Sequence, residues 1–182
     1  VLGFNQEHLL DDCLKSIEGQ PYISEQLLVD NGSEIPYSQH KYPGWRIHRE
    51  PVNVGNIGGQ NVCFRKAQSD CVLFVANDVR LFPDCIEKMF VFGKMFTSIA
   101  QVQPEMYRVN GQVDQLGMDW VWPGYGISRK QLSNNLKMIV PSTCYLMKKG
   151  LLDAMNGFDE SLISSHEDVD MGIRLNRLGY SN

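Results

Sequence analysis

Apolar residues in this chain fall into two alternating rhythms. Leu9, Leu10, Cys13, Leu14 and Ile17 recur at helical spacing, and Gly19 is placed to end that helix. Val62, Cys63, Phe64 and Ala67 repeat the rhythm, as do Ile86, Met89, Phe90 and Gly93 behind a helix start at Pro83 and Asp84. Between these stretches lie apolar runs of strand length at Val1 to Phe4, Gln26 to Val29, Trp45 to His48 and Cys71 to Ala76. The last is unbroken and rich in Val and Phe, which predicts a strand buried on both faces. The order β-α-β-(β)-α-β-α predicts a layered α/β sheet with right-handed crossovers.

From Ala100 the pattern changes. Ala100 to Gln103 predicts a short strand. Met106 to Val109 and Gln112 to Leu116 flank Asn110-Gly111, a hairpin signal. Gly117 to Gly126 is dense in Trp, Tyr and Gly, and Ser128 to Lys137 is polar and reads as a mobile segment. Met138 to Met147 predicts a strand and Lys148 to Met155 a short helix stopped at Asn156-Gly157. Glu167 to Leu178 predicts a last helix with Met171, Leu175 and Leu178 on one stripe. No repeat, low-complexity tract or linker interrupts the chain, so residues 1–182 are expected to form a single domain with halves at 1–99 and 100–182. Its opening at Val1, in mid-strand, predicts that further residues precede it.

Composition narrows the function classes. The net charge of −4 lacks the basic footprint of nucleic-acid binding. No apolar run is long enough to span a bilayer, and no signal peptide is visible. The 5 cysteines, Cys13, Cys63, Cys71, Cys85 and Cys144, are scattered without Cys-x-x-Cys spacing, which predicts buried free thiols in a reducing compartment.

Four stretches offer chemistry. Asp30 ends a strand inside Asp30-Asn31-Gly32-Ser33, where a carboxylate accepts hydrogen bonds from a base or ribose, or simply forms a turn. Asn53 to Asn61 carries Gly55, Gly58 and Gly59 and reads as a loop that feeds a helix. It suits close backbone approach to an anion or a tight turn, and it matches neither a P-loop nor a dinucleotide fingerprint. Asp78 follows the Cys71 to Ala76 strand. It suits a divalent cation on a diphosphate, or a solvated turn. His166-Glu167-Asp168-Val169-Asp170 opens the last helix and holds a candidate general base, although acidic residues favour that helix end in any case. Asp170 and Arg174, spaced i, i+4, predict an ion pair that orients the helix.

These stretches occur in an order that resembles the catalytic domain of a family 2 glycosyltransferase with the GT-A fold, closest to the bacterial rhamnosyltransferase-like branch. The resemblance covers nearly the whole chain. It rests on Leu2-Gly3-Phe4-Asn5, Val29-Asp30-Asn31-Gly32-Ser33, Asn53-Val54-Gly55 with Gly58-Gly59-Gln60-Asn61, and Val75-Ala76-Asn77-Asp78 at the family's Asp-x-Asp position. It ends with Gly157-Phe158-Asp159-Glu160 followed by Glu167-Asp168-Val169-Asp170 and Arg174.

The resemblance implies an α/β fold with a mixed, mostly parallel central sheet flanked by helices. It implies a nucleotide-diphosphate-sugar donor held by Phe4, Asn5, Asp30, Asn53, Gly55, Gly59, Asn61, Asn77 and Asp78. Asp78 would bind Mn2+ or Mg2+, Asp168 would be the general base with Glu167 beside it, and Trp120, Trp122, Tyr125 and His166 would face the acceptor. The implied reaction is inverting transfer to a hydroxyl of a glycan, a polysaccharide or a lipid-linked saccharide.

The chain departs from the family pattern at Ala76, where a first Asp or Asn is usual. It also ends at Asn182, before the position where the family often supplies a His to the metal. Asn31-Gly32-Ser33 is an N-glycosylation acceptor whose glycan would sit in the donor site, so with the free cysteines a cytoplasmic location is expected; the resemblance allows action at the inner membrane face, with any membrane association outside these residues. Two other readings stand beside this one. One is a non-catalytic sugar-nucleotide or glycan-binding domain, which Ala76 favours. The other is a sugar nucleotidyltransferase, against which Gly3-Phe4-Asn5-Gln6-Glu7 lacks the needed glycine-rich, basic loop.

Overall fold

The structure is a computed structural model and describes residues 1–121, 125–131, 139–162 and 165–181. Three parallel strands, β1 (Leu2–Gly3), β2 (Leu27–Asp30) and β3 (Arg46–Arg49), form one sheet in the order β1-β2-β3. A second sheet has β4 (Cys71–Val75), β10 (Cys144–Lys148) and β5 (Gln101–Val102) in the order β4-β10-β5. A parallel bridge between Leu2 and Ala76 joins them edge to edge. Because β10 runs antiparallel to both β4 and β5, five of these strands point one way and β10 alone points back. This is the mixed, mostly parallel sheet expected from the sequence.

Strand residues alternate between two cores, as a period of two requires. Leu27, Val29, Phe74, Tyr145 and Met147 face one core with α2 (Gly55–Lys66), α4 (Lys149–Ala154) and α5 (Glu167–Arg177). Leu28, Val75 and Cys144 face the other, with α1 (Glu7–Ile17) and α3 (Cys85–Met95). In α1 the buried residues are Leu10, Cys13, Leu14 and Ile17, the predicted stripe. Two hairpins stand apart from the sheet: β6 (Met106–Tyr107) with β7 (Val113–Gln115), and β8 (Met118–Val121) with β9 (Tyr125–Ser128). All five cysteines are free thiols, and Cys13, Cys63 and Cys144 are buried.

Several expectations change. The stretch from Gly55 to Asn61 is not a loop but the first turns of α2. Gly58 and Gly59 serve helix packing there: a Cβ on Gly59 would lie 2.8 Å from both Leu2 methyls. The strand expected from Met138 begins at Cys144, because Pro141 lacks an N–H and Ile139 exchanges both backbone hydrogen bonds with Met118 at 2.9 Å instead. In β4 only Phe74 and Val75 are buried, and Cys71 to Leu73 are half-buried, so the strand is not covered on both faces along its length. Leu178 falls at the C-cap of α5 and is 59% exposed, outside the buried stripe of Val169, Met171 and Leu175. The Trp- and Gly-rich stretch contains the β8–β9 hairpin, which its composition did not announce. Of the polar segment from Ser128 to Lys137, residues 132–137 lie outside the described residues, as does Met138 after it.

Candidate functional site

The parallel strands deliver most of the chemistry to one edge. Phe4 and Asn5 follow β1, Asp30 closes β2, and Ala76-Asn77-Asp78 follow β4, all at the carboxyl ends where open α/β sheets bind ligands. Antiparallel β10 brings its beginning to the same edge: the Ala76 N–H donates to the Thr143 carbonyl at 2.9 Å. Next to Thr143, the amide of Ser142 is near enough to Asp168 to favour its charged form. Asp78 and Asp168 therefore share an edge although far apart in sequence.

Asp30 is fully buried and held by its own loop. Its Oδ1 accepts the Ser33 N–H at 2.9 Å, and its Oδ2 accepts the Tyr37 N–H at 3.2 Å and an Arg49 N–H. Burial alone would raise its proton affinity. The Ser33 hydroxyl and amide, the Arg49 guanidinium and the Tyr37 amide outweigh it and hold the carboxyl below the usual range. The carboxylate thus shapes the Asn31 to Tyr37 loop from beneath. Asn5, with a positive φ of 55°, locks onto the same loop: its N–H donates to Ser33 Oγ at 2.9 Å and its Oδ1 accepts the Glu34 N–H at 2.9 Å. Phe4 beside it is 40% exposed.

Asn31 ties this loop to the start of α2. Its Nδ2 donates to Asn53 Oδ1 and to the Gly55 carbonyl, both at 3.0 Å, while its Oδ1 accepts the Val54 N–H at 3.1 Å. Gly32 makes the approach possible, since its φ is 75° and a Cβ would lie 2.4 Å from the Val52 carbonyl carbon. Asn53 Oδ1 also accepts the Gly55 N–H at 2.8 Å. Asn61 sits further along α2 and faces the Gly157 to Glu160 loop, where its side chain binds the Phe158 backbone and Glu160. Gly59 contacts Leu2 and Asn31.

Asp78 is exposed on the edge, and among the described residues it makes no ion pair. Asn77 Nδ2 reaches Gln6 Oε1 at 3.4 Å. No three His, Cys, Asp or Glu side chains among the described residues come together in a metal-ready group. Asp78 therefore offers a single hard oxygen donor, which suits a cation that arrives with phosphates of its own.

At α5, Glu167 is buried and Asp168 is half-buried. Burial raises the Asp168 carboxyl above its ordinary range. The neighbouring Glu167 charge adds to the rise, against the lowering effect of the Val169, Asp168 and Ser142 amides. Glu167 Oε1 accepts from Asn56 Nδ2 at 3.3 Å and from Gln60 Nε2 at 3.4 Å. His166 caps the helix with a φ of 73°, and its Nδ1 lies 2.8 Å from Ser165 Oγ. Arg174 pairs with Asp170 as expected and also donates to the Met155 and Gly157 carbonyls at 3.1 Å and 3.0 Å.

The β8–β9 hairpin adjoins this helix. Trp120 pairs with Gly126 and Val121 with Tyr125, and a Cβ on Gly126 would lie 3.2 Å from Val169 Cγ2. The backbone carrying Trp120 and Tyr125 is thereby set next to the residue that follows Asp168. Trp122 lies outside the described residues.

The model of the family described as "Glycosyl transferase family 2" matches residues 2–155. The chain belongs to that family. No curated protein matches the sequence. Among solved structures, S. aureus TarS 1-349 is similar with a TM-score of 0.72 at 21% identity, covering 96% of this chain and 53% of that one. The mannosyltransferase PcManGT from Pyrobaculum calidifontis, solved with GDP-Man and Mn2+, gives 0.69 at 16% identity over 99% and 51%. GalNAc-T7, solved with UDP, GalNAc and Mn2+, gives 0.83 at 14% identity over 99% and 40%. This family 2 chain thus spans about half or less of those proteins, and it shares their GT-A fold. Among its described residues no helix is long and apolar enough to cross a membrane.

Sequence reasoning gave no role in the site to Tyr145 or Arg49, and it quoted Asn31 and Gln60 only as parts of motifs. For Gln60 a signal existed: Asn56 and Gln60 are i, i+4 on one helix face, the face that meets Glu167.

Proposed function

We propose that this family 2 chain transfers a sugar from a nucleotide-diphosphate donor to an acceptor hydroxyl with inversion at the anomeric carbon. The observation that supports the reading is the half-buried Asp168, its proton affinity raised by burial, on the side of the sheet where the Ala76 to Thr143 bond also brings the residues leading to Asp78. A carboxylate whose proton affinity is raised is a stronger base toward a hydroxyl proton. Asp168 accepts that proton while the acceptor oxygen bonds to the anomeric carbon. The bond from that carbon to the donor phosphate oxygen breaks, and its electron pair leaves with the nucleoside diphosphate.

Phe4, Asn5, the Asp30 loop, Asn53 and Gly55 form the donor side within residues 1–99. Trp120, Tyr125 and His166 form the acceptor side within residues 100–182. Here Asp30 acts by holding Asn31 to Tyr37 in shape, since its oxygens are taken. Asp78 would hold a Mn2+ or Mg2+, which when bound offsets charge on the diphosphate. The acceptor is a saccharide or a lipid-linked saccharide, and the setting is cytoplasmic.

The test is nucleoside diphosphate release from UDP-GlcNAc, GDP-mannose and dTDP-rhamnose with Mn2+, the last probing the rhamnosyltransferase-like reading. Asp168→Asn is expected to lose about a hundredfold or more in turnover while donor-dependent thermal stabilisation persists. Full turnover in Asp168→Asn would refute the base assignment. The second reading, a binding domain without catalysis, is favoured by Ala76, which leaves one carboxylate at the metal position; donor stabilisation without any release in the unaltered protein would establish it.

A further inference from the structure

Glu167 is buried and, among the described residues, has no cation beside it, an arrangement that is costly unless polar groups are built around it. Gln60 supplies one. It is fully buried in α2, its Nε2 faces Glu167, and its Oε1 accepts the hydroxyl of Tyr145 at 2.8 Å. Tyr145 is itself fully buried, stacked on Phe74 with ring centroids 5.4 Å apart. The amide can point only one way. Reversed, its carbonyl oxygen would oppose the Glu167 carboxylate, acceptor against acceptor. The Tyr145 hydroxyl fixes the productive orientation by donating to Gln60, and Gln60 then donates to Glu167.

We propose that Gln60 and Tyr145 are positioning residues that hold the Glu167 carboxylate beside Asp168 and so set the charge against which the base works. The inference rests on the reading of Asp168 as the base. Beyond Glu167, the groups described near this pair are His166 on α5, Tyr145 on β10, and the uncharged Asn56 and Gln60 on α2. The β8–β9 hairpin carries Asp119 and Arg129, which are paired with each other.

The test is the titration of Asp168 in the intact chain by NMR of 13C-carboxyl-labelled aspartate, with the signal assigned through Asp168→Asn. Gln60→Met keeps the bulk and removes both hydrogen bonds. It should lower the Asp168 midpoint by about half to one pH unit, because Glu167 is released from its place. Tyr145→Phe, which removes one oxygen, should shift it the same way by less. In a Glu167→Gln background, Gln60→Met should shift it no further. The acid limb of the kcat profile for UDP-GlcNAc or GDP-mannose hydrolysis should move with the midpoint, leaving donor affinity unchanged.

An unmoved midpoint in folded Gln60→Met and Tyr145→Phe would overturn the proposal. Should Gln60→Met not fold, Tyr145→Phe decides alone. Turnover surviving in Asp168→Asn would instead sink the catalytic reading and leave the titration result standing.

Discussion

Asn61 and Phe158 bind each other reciprocally: Asn61 Nδ2 donates to the Phe158 carbonyl at 3.0 Å, and the Phe158 N–H donates to Asn61 Oδ1 at 2.9 Å. The side-chain amide acts as a strand-like partner for a buried peptide group. With the contact to Glu160 at 2.7 Å, it latches the Gly157 to Glu160 loop onto α2.

Asn61→Leu should therefore lower unfolding free energy by about 2–4 kcal/mol, because two buried backbone groups lose their partners. Urea denaturation would show it as a lower midpoint. Donor affinity of the folded protein should stay the same. A donor defect at full stability would mean that Asn61 touches the donor directly.

Gly59→Ala sets two effects against each other. Alanine favours a helix over glycine by about 1 kcal/mol, but its Cβ would sit 2.8 Å from the buried Leu2 methyls and 3.2 Å from Asn31 Nδ2. Overpacking of this kind costs about 1–3 kcal/mol, so the net change should destabilise. Gly150→Ala in α4, where a Cβ meets nothing within 4 Å, should stabilise. Thermal melts of the two variants should move in opposite directions.

The α1 stripe and the first βα units were legible because each is a local repeat whose apolar face has one place to go. Asp30, Asp78 and Asp168 were legible as residues because strand ends and helix starts mark them. What Asp30 does was not, since Arg49 and Tyr37 reach it only once β2 and β3 pair. Gly58 and Gly59 read as a loop because glycine composition does not distinguish chain freedom from helix packing. The β8–β9 hairpin was missed because Trp120 to Gly126 is dense in site-like residues, and its pairing with Ile139 is distant in sequence.

Asp30 has a pH signature. Its folded-state proton affinity is lowered, so its stabilising contribution is complete above the unfolded carboxyl's range and is lost as pH falls through the folded value. The urea midpoint of the unaltered protein should drop from about pH 5 to about pH 3 more steeply than that of Asp30→Asn. Parallel slopes would show that Arg49 and Ser33 do not stabilise the charge.

Asp78 predicts a coupled metal. With one carboxylate at the edge, Mn2+ should bind the empty domain weakly, and UDP or GDP should strengthen it. Asp78→Ala should reduce that coupling about tenfold while leaving the melting temperature of the empty protein unchanged, because Asp78 is exposed and outside every ion pair described. Calorimetry with and without nucleotide measures both. Tight Mn2+ binding to the empty domain, indifferent to Asp78→Ala, would place the metal elsewhere.

The reversed direction of β10 has a consequence for how the chain is made. Among the described residues strand β5 pairs only with β10, and β4 meets β10 along its whole length, from Cys71 with Lys148 to Val75 with Cys144. Until Lys148 has left the ribosome, β4 presents a bare edge of N–H and C=O groups, with Val72, Leu73, Phe74 and Val75 behind it. Such an edge is a template for pairing with another nascent chain. The strand that completes the site is therefore also the one that makes the sheet safe, and chaperone dependence during synthesis should be greatest for chains stalled between β5 and β10.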